Sequence, residues 1–422
     1  MSDPDRVAAG LADALLGGAW HRSHLSLRAR TALGLPDTPP WLHAVVAETA
    51  DLYRDPPLDR PRELAAVLRA TRGWRDAPPG LRIVAVSPVA TRIVRHPWPV
   101  TPLPDLAALA RLLDVDQGEL AWFADVRGLE RRCAPALRHY TWTELPRRGG
   151  SRLVAAPKPR LKEIQRRLLR HVLSPIPVHD AAHGGAAGRS VRTALSPHAG
   201  SVVVLRFDLT AFFASIPAGR VYGLLRTAGL PEPVAHTTTG LLTTVAPLAV
   251  SSDPRLRTPH LPQGAPSSPA AANLVAYSLD RRLAGLASRY GGAYTRYVDD
   301  LTFSGGRSLR VARSRFVELV DAIVRDEGFA LNERKTVVLG AAGRQQALGA
   351  VLNAHPALPR VERDALRATL HNCVVHGWAS QARGLSQVEF RDYLLGRIAW
   401  AGALHPEHGR KLRAIADRID WT

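Results

Sequence analysis

The feature that most constrains this 422-residue chain is a pair of adjacent acidic residues inside a strand-forming stretch, Ala293–Ser304. Aromatic and β-branched residues lie on both sides of the pair, and they favour a β-hairpin with Asp299 and Asp300 at its turn. Two neighbouring carboxylates repel each other unless a cation lies close to them. The stretch is therefore typical either of a solvated hairpin tip or of a divalent-metal site, and a third acidic residue is needed to decide.

That third residue, Asp208, interrupts the apolar stretch Ser201–Ile216, which is typical of a buried central strand. A carboxylate in such a run is costly unless it is paired or bound to a metal. Beside the hairpin it would complete a three-carboxylate oxygen site of the kind that Mg²⁺ prefers. Two ions about 3.5 to 4 Å apart can activate a primer 3′-hydroxyl and hold the triphosphate that it attacks. These residues therefore favour polynucleotide synthesis.

Three segments follow the order of the palm motifs of reverse transcriptases: Phe207–Phe213, Leu261–Pro269 and Tyr297–Asp300. Through them the chain resembles the bacterial retron-type branch of that family, from about residue 145 onward. The resemblance implies an α+β right-hand polymerase with fingers, a ferredoxin-like palm, a helical thumb and a helical N-terminal extension. The implied domains are 1–100 for the extension, 101–200 for a helical lead-in and fingers, 201–345 for the palm with part of the fingers, and 346–422 for the primer-grip region and thumb.

Charge and cysteine content are consistent with this interpretation. The chain has 56 Lys and Arg residues against 37 Asp and Glu, a formal net charge of +19, which indicates a polyanionic partner. An Arg-rich composition could also give a merely solubilising surface. Cys133 and Cys373 lie far apart, which indicates a reducing compartment without a disulfide framework or a zinc site. Because no signal peptide or membrane span is apparent, we expect a cytoplasmic protein with no membrane partner.

The resemblance assigns the catalytic and metal-binding roles to four residues. Asp208, Asp299 and Asp300 are implied to be catalytic, and together with the carbonyl group of Leu209 they are implied to bind two Mg²⁺ ions. A hard, oxygen-only donor set agrees with that choice of metal.

Four further residues are implied to bind the incoming nucleotide. Arg152 matches an arginine that reaches the triphosphate, and Lys335 matches a lysine near it. Gln263 matches the residue that touches the nascent base pair and sugar. Phe213 matches the steric gate that excludes a 2′-hydroxyl and so selects deoxynucleotides. Its neighbour Phe212 is better interpreted as a core aromatic.

The stretch Tyr140–Ala156 predicts a hairpin with a basic, Gly-rich turn, and a basic amphipathic helix is predicted after Pro159. Either could be an exposed basic surface, but phosphate contact is the better interpretation because their positions match the family's fingers hairpin and template-contacting helix. With a histidine farther along the chain, the implied nucleic-acid contacts are Arg147, Arg148, Lys158, Lys162, Arg166 and His198.

The chain departs from the retron pattern at two segments. Ala194–His198 keeps only the histidine of an Asn-Ala-x-x-His element, and Ala347–Gly349 replaces Val-Thr-Gly. In addition, Gly185 lies where an aromatic residue is usual. These departures bear on which RNA is recognised and not on catalysis.

The leading interpretation is a retron-type RNA-directed DNA polymerase acting in antiphage defence. It would use a structured non-coding RNA as template and primer and make DNA from dNTPs. An effector protein could be a further partner. A second interpretation is another bacterial defence reverse transcriptase, abortive-infection-like and capable of untemplated synthesis. A third is an RNA-binding scaffold without catalysis.

Overall fold

The computed structural model describes residues 3–421 except 18, 54, 58–59, 86–97, 127, 148–149 and 252. Within these residues, helices are the main elements. In chain order the α-helices are α1 (Asp3–Leu16), α2 (Arg22–Leu33), α3 (Pro40–Leu52), α4 (Pro61–Ala70), α5 (Arg72–Arg75), α6 (Leu106–Leu113), α7 (Gln117–Ala124), α8 (Pro159–Leu168), α9 (Val191–Leu195), α10 (Ala218–Thr227), α11 (Glu232–Leu242), α12 (Ser268–Val275), α13 (Tyr277–Arg289), α14 (Arg307–Val311), α15 (Arg313–Asp326), α16 (Arg360–His376), α17 (Gln387–Leu404) and α18 (Pro406–Ala416).

The strands form three antiparallel arrangements. They are β1 (Tyr140–Arg147), β2 (Gly150–Pro157), β3 (Val203–Asp208), β4 (Ala293–Tyr297), β5 (Asp300–Gly305), β6 (Val337–Gly340), β7 (Gln346–Ala347) and β8 (Ala350–Val351). Strands β1 and β2 form one hairpin and β7 and β8 another, while the central sheet has the order β4-β5-β3-β6. None of the described helices combines the length and the apolar character needed to cross a membrane.

The chain divides into two compact units, the first made of Met1–Pro177 and Ile216–Ser268. Its N-terminal helices α1 to α4 enclose an apolar core that includes the fully buried Leu11, Leu25 and Leu68. Helix α7 begins with a capping box between Asp116 and Glu119, which satisfies amide groups that the first helical turn leaves unpaired.

The predicted hairpin is present in this unit as β1 and β2, with Leu145 opposite Arg152. The basic helix that follows begins at Pro159, where the fixed φ of proline suits the first helical position. It continues past Leu168 as a π-helical segment, Leu169–Leu173. Leu161 and Ile164 are buried, and the basic residues occupy the other faces.

The second unit comprises Val178–Ser215 and Pro269–Thr422 and contains the central sheet. Aromatic side chains build the core beside this sheet. The rings of Tyr294 and Phe303 stack with centroids 4.7 Å apart, and Phe303 meets Phe316 of α15 edge to face at 5.2 Å. Asp208 is the last residue of β3 and Asp300 is the first residue of β5.

The C-terminal part of this unit has its own apolar core, formed by α16, α17, α18 and the β7–β8 hairpin. Leu370, Leu394 and Leu412 contribute one buried side chain from each of the three helices. The hairpin turn places Leu348 and Gly349 at positive φ, +48° and +78°. This left-handed geometry at both central residues is that of a two-residue hairpin turn whose twist matches the strands.

Candidate active site

The three acidic residues, predicted from two separate stretches, lie at one edge of the central sheet. Asp208 on β3 lies directly opposite Asp300 on β5. Opposite residues of an antiparallel pair project from the same face, with Cβ atoms about 5 Å apart. The amide of Leu209 donates to the carbonyl oxygen of Asp299 at 2.9 Å, which ties the end of β3 to the hairpin turn. The fold therefore places Asp208, Asp299 and Asp300 at the same end of the β3–β5 pair.

Both burial and neighbouring negative charges affect the ionisation of Asp300 at this edge. Burial raises the pKa of the Asp300 carboxyl to about 6, and the nearby charges of Asp299 and Asp208 add to that rise. Arg206 and Lys335 oppose it. A carboxyl group displaced in this direction is one that would gain from an additional cation.

Asp208 is 7% exposed and already has a cationic neighbour. The Nζ atom of Lys335 lies 2.6 Å from its Oδ2 atom, and the Asn332 side-chain amide lies 3.4 Å from Oδ1. The backbone amide of Asn332 donates to the Asp208 carbonyl oxygen at 2.8 Å. The segment after α15 thus holds both the main chain and the carboxylate of Asp208.

The donor set suits a hard divalent cation. Among the described residues, no group of three or more Asp, Glu, His or Cys side chains is arranged so that it could hold a metal ion. The lysine ammonium on Asp208 supplies the positive charge at that carboxylate instead. Oxygen donors that converge and repel one another, with a displaceable ammonium among them, fit a Mg²⁺ site.

Arg206, which was not predicted from the sequence, also belongs to this site. Its Nη2 atom lies 4.0 Å from the Asp300 carboxylate, and its Nη1 atom donates to the carbonyl oxygen of Gln346 at 3.1 Å. Arg206 therefore links the acidic edge to the β7–β8 hairpin. The available signal was strand periodicity, since residues 206 and 208 of one strand share a face.

The two phenylalanines after Asp208 have different environments. Phe212 is 3% exposed and packs against Phe329, with ring centroids 5.6 Å apart. Phe213 is only partly buried and touches Phe212 at the same centroid distance, 5.6 Å. This difference agrees with a core role for Phe212 and leaves Phe213 available for a substrate sugar.

In the first unit, two predicted nucleotide-binding residues contact each other. With the Gln263 amide oriented so that its oxygen faces Arg152, Oε1 accepts from Nη2 at 2.8 Å and from Nε at 3.0 Å. The backbone amide of Ala155 also donates to the backbone carbonyl oxygen of Gln263 at 2.8 Å. The loop carrying Gly264 runs so close to β2 that a Cβ there would lie 2.8 Å from the Ala155 carbonyl oxygen.

The predicted phosphate contacts have different environments. Lys162 and Arg166 are exposed on α8. The Nζ atom of Lys158 instead donates to the carbonyl oxygens of Pro135 and Ala136, at 3.2 and 2.6 Å. At the predicted basic turn, the backbone of Arg147 ends β1, and the prediction for Arg148 lies outside the described residues.

His198 has a different environment from the one expected of a nucleic-acid contact. It is fully buried, with Nδ1 2.8 Å from Ser304 Oγ and Nε2 2.8 Å from Thr295 Oγ1. Burial lowers the pKa of its imidazole to about 4. Because both ring nitrogens are engaged inside the second unit, His198 is not among the contacts proposed below, and its role is to join β4 and β5 to the segment before β3.

This geometry is that of a polymerase palm, and comparison with protein families identifies its class. Residues 144–352 match the model for reverse transcriptase, RNA-dependent DNA polymerase. The matched range contains the three carboxylates and the four predicted nucleotide-binding residues.

Individual relatives narrow the class further. The chain is 40% identical to the retron Mx65 reverse transcriptase of Myxococcus xanthus, over 77% of this chain and 74% of that protein. It is 37% identical to the retron Mx162 reverse transcriptase of the same organism, over 76% and 68%. The retron Ec86 reverse transcriptase of Escherichia coli is 29% identical over 54% and 70%. The chain belongs to the retron reverse transcriptases and is an RNA-directed DNA polymerase with the right-hand α+β fold.

Proposed function

We propose that Asp208, Asp299 and Asp300, with the Leu209 carbonyl, hold two Mg²⁺ ions at the edge of the central sheet. The chemistry that such ions supply when bound is acidification of the primer 3′-hydroxyl and neutralisation of the triphosphate and the leaving pyrophosphate. The observation that carries this proposal is the register that sets Asp208 opposite Asp300, with Asp299 tied to the end of β3.

The chain's own side chains would bind and orient the nucleotide. Lys335 would leave Asp208 for a triphosphate oxygen once the carboxylate is neutralised, because an ammonium on a flexible stem can change partners at low cost. Arg152 would fork onto phosphate oxygens while Gln263 faces the nascent base pair. Phe213 would pack under the sugar and exclude a 2′-hydroxyl.

The template is proposed to be a structured non-coding RNA that also supplies the primer, with DNA copied from it as product. Membership of the retron reverse transcriptases supports this choice, and so do the net charge of +19 and the exposed Lys162 and Arg166. A role in antiphage defence and an effector protein as partner are further parts of this proposal. The division into extension, fingers, palm and thumb at residues 100, 200 and 345 is likewise proposed.

Primer extension tests the proposal. Wild type, Asp208→Asn and Asp299→Asn would be assayed with Mg²⁺ and dNTPs on RNA template, on DNA template and without template. We expect template-dependent product from the wild type alone. Asp326→Asn, which changes an exposed acid of α15, is the matched control and should retain activity. Synthesis by Asp299→Asn would contradict the metal site.

Two other outcomes separate the alternatives. Labelled product without template would favour an abortive-infection-like enzyme, and absence of product from folded wild type would favour a binding scaffold. Sequencing of copurifying nucleic acid identifies the RNA. A random population of cellular RNA would contradict a cognate template.

A further inference from the structure

The turn that carries the two adjacent carboxylates has an unfavourable backbone conformation. Val298, which precedes Asp299, has a φ of +59°, in the left-handed region. This region is rarely occupied by β-branched residues, and occupied positions cluster at sites where the surrounding structure forces them. Something behind the turn must therefore hold Val298 in place.

The group behind the turn is the guanidinium of Arg296. Arg296 is fully buried and is the largest of the fully buried side chains in the described part of the chain. Its Nη1 atom donates to the Val298 carbonyl oxygen at 3.0 Å. Its Nε and Nη2 atoms donate to the two carboxylate oxygens of Asp280 at 2.8 and 2.6 Å, which fixes the plane of the guanidinium.

A second polar side chain extends this support to the other side of the turn. Asn273 of α12 accepts from Arg296 Nη1 at 3.0 Å and donates to the Gly184 carbonyl at 2.9 Å. The Gly184 backbone lies against the turn, since a Cβ there would be 2.7 Å from the Val298 amide nitrogen. The turn is thus enclosed by elements that all connect to one guanidinium.

The same guanidinium also contacts Phe212, the ring that packs against the proposed sugar gate Phe213. The Arg296 Cζ atom lies 5.5 Å from the centroid of the Phe212 ring, within the range of a cation–π contact. Phe212 in turn touches Phe213. A well-packed apolar pair would fill this space without the cost of burying two charges, but it could not bond the Val298 carbonyl.

We propose that Arg296 is a positioning residue that sets both the catalytic turn and, through Phe212, the sugar gate. This inference rests on the proposed roles of Asp299, Asp300 and Phe213. It assigns a function to Arg296 and its partner Asp280, neither of which reaches the substrate. Its consequence is that turnover and sugar discrimination depend on the same buried side chain.

The test is single-nucleotide extension by Arg296→Lys with dNTP and with rNTP. Lysine keeps the positive charge but lacks the planar fork that serves Asp280, Asn273 and Val298 together. For a displaced reacting group we expect kcat to fall about 10- to 100-fold, dNTP KM to change less than about threefold, and dNTP-over-rNTP selectivity to fall about fivefold.

Asn273→Ala provides a second test that leaves the buried ion pair intact. It removes the bridge to Gly184, and it should lower kcat and selectivity in the same direction, by about threefold to tenfold. Tyr294→Phe is the matched control, since its hydroxyl donates to Asp280 Oδ1 at 2.9 Å without touching the turn. Arg282→Lys, on a half-exposed ion pair of α13, controls for the loss of a guanidinium. Both controls should keep wild-type kcat and selectivity.

Wild-type kcat and selectivity in folded Arg296→Lys would overturn the inference, as would a lowered melting temperature with unchanged kinetics. If Arg296→Lys does not fold, the same result with Asn273→Ala overturns it. Asp299→Asn is assayed in parallel. DNA synthesis by Asp299→Asn would contradict the proposed metal site. If Asp299→Asn is inactive and Arg296→Lys is fully active, only the positioning role of Arg296 is contradicted.

Discussion

Arg152 and Gln263 form a two-pronged contact in which one amide oxygen accepts from two guanidinium nitrogens, at 2.8 and 3.0 Å. Arg152 belongs to the β1–β2 hairpin and Gln263 to the loop before α12, so the contact joins two motifs that are distant in sequence. Each was predicted to bind the nucleotide by itself. Because the two side chains share hydrogen bonds, we expect their contributions to nucleotide binding to be coupled.

The first prediction is non-additivity at this pair. Arg152→Ala and Gln263→Ala should each raise the KM for dNTP, and the double variant should be less impaired than the sum of the two. For residues in direct contact we expect a coupling energy of about 1 kcal/mol. Steady-state extension kinetics measure it. Arg160→Ala, an exposed arginine bonded to Glu119 and the Asp114 carbonyl, is the control, and full additivity at Arg152 and Gln263 would contradict the coupling.

The second prediction concerns Lys335, whose ammonium group forms an ion pair with the Asp208 carboxylate. Its side chain is 38% exposed, so the ion pair is screened and Lys335→Met should lower the free energy of unfolding by only about 0.5 kcal/mol. Added Mg²⁺ should then raise the melting temperature of this variant more than that of wild type, because no ammonium competes for Oδ2.

Melting curves with and without MgCl₂ measure this difference. Lys411→Met removes a more exposed lysine–carboxylate pair, with Glu407 on α18, and it should leave the Mg²⁺ response unchanged. Equal Mg²⁺ responses of wild type and Lys335→Met would show that the lysine and the metal do not share the carboxylate.

The sequence predicted the acidic edge because its signals are local. Carboxylates that interrupt apolar strands stand out against strand periodicity, and the register of β3 and β5 follows from which face is buried. The Arg296–Asp280 pair carries no such signal. An arginine in a strand and an aspartate in a helix look like surface residues until the fold brings them within 2.6 Å.

Other misses have the same origin. The break between α12 and α13 at Ala276 is one example, because neither glycine nor proline in the sequence signals it. Gly185 replaces the usual aromatic residue, and its surroundings explain why: it has a φ of +73°, and a Cβ there would lie 2.5 Å from Pro269 Cβ. Tertiary contacts of this kind cannot be derived from periodicity.

The third prediction is a pH effect from His198. Burial holds the pKa of its imidazole near 4 in the folded chain, below the ordinary 6.5. The unfolded chain therefore takes up a proton first as the pH falls. The contribution of this pKa difference to the free energy of unfolding is fully present above about pH 6.5 and is lost progressively toward pH 4. His198→Gln should reduce the loss of unfolding free energy over this pH range. His183, whose pKa is also about 4, should cause part of the loss that remains in this variant.

Urea unfolding at several pH values between these limits measures the His198 effect. The salt dependence of RNA binding should stay the same in His198→Gln, because the ring is buried away from the solvent. A changed salt dependence without a changed pH profile would restore His198 as a nucleic-acid contact.

The final prediction concerns the basic side chains of α8 and its π-helical extension. It distinguishes those that would bind phosphate from those that have a structural role. Lys162, Arg166 and Arg170 are exposed and recur every four residues, so they form one basic face. Arg167 instead bonds the Leu112 carbonyl and Asp114, at 3.4 and 3.3 Å. Since Arg166 lies 3.9 Å from the Glu163 carboxylate, Lys162 and Arg170 are the better candidates to release counterions from a phosphate backbone.

Lys162→Ala and Arg170→Ala should each reduce the slope of log affinity against log salt, by about 0.7 on single-stranded RNA and about 0.9 on duplex. Arg167→Ala is the matched control, one residue from Arg166 on the same helix, and it should lower the melting temperature while leaving the slope unchanged. Fluorescence anisotropy over a series of KCl concentrations measures the slopes. A reduced slope in Arg167→Ala alone would place the template on another face, because counterion release follows the residues that touch phosphate and not the net charge of the chain.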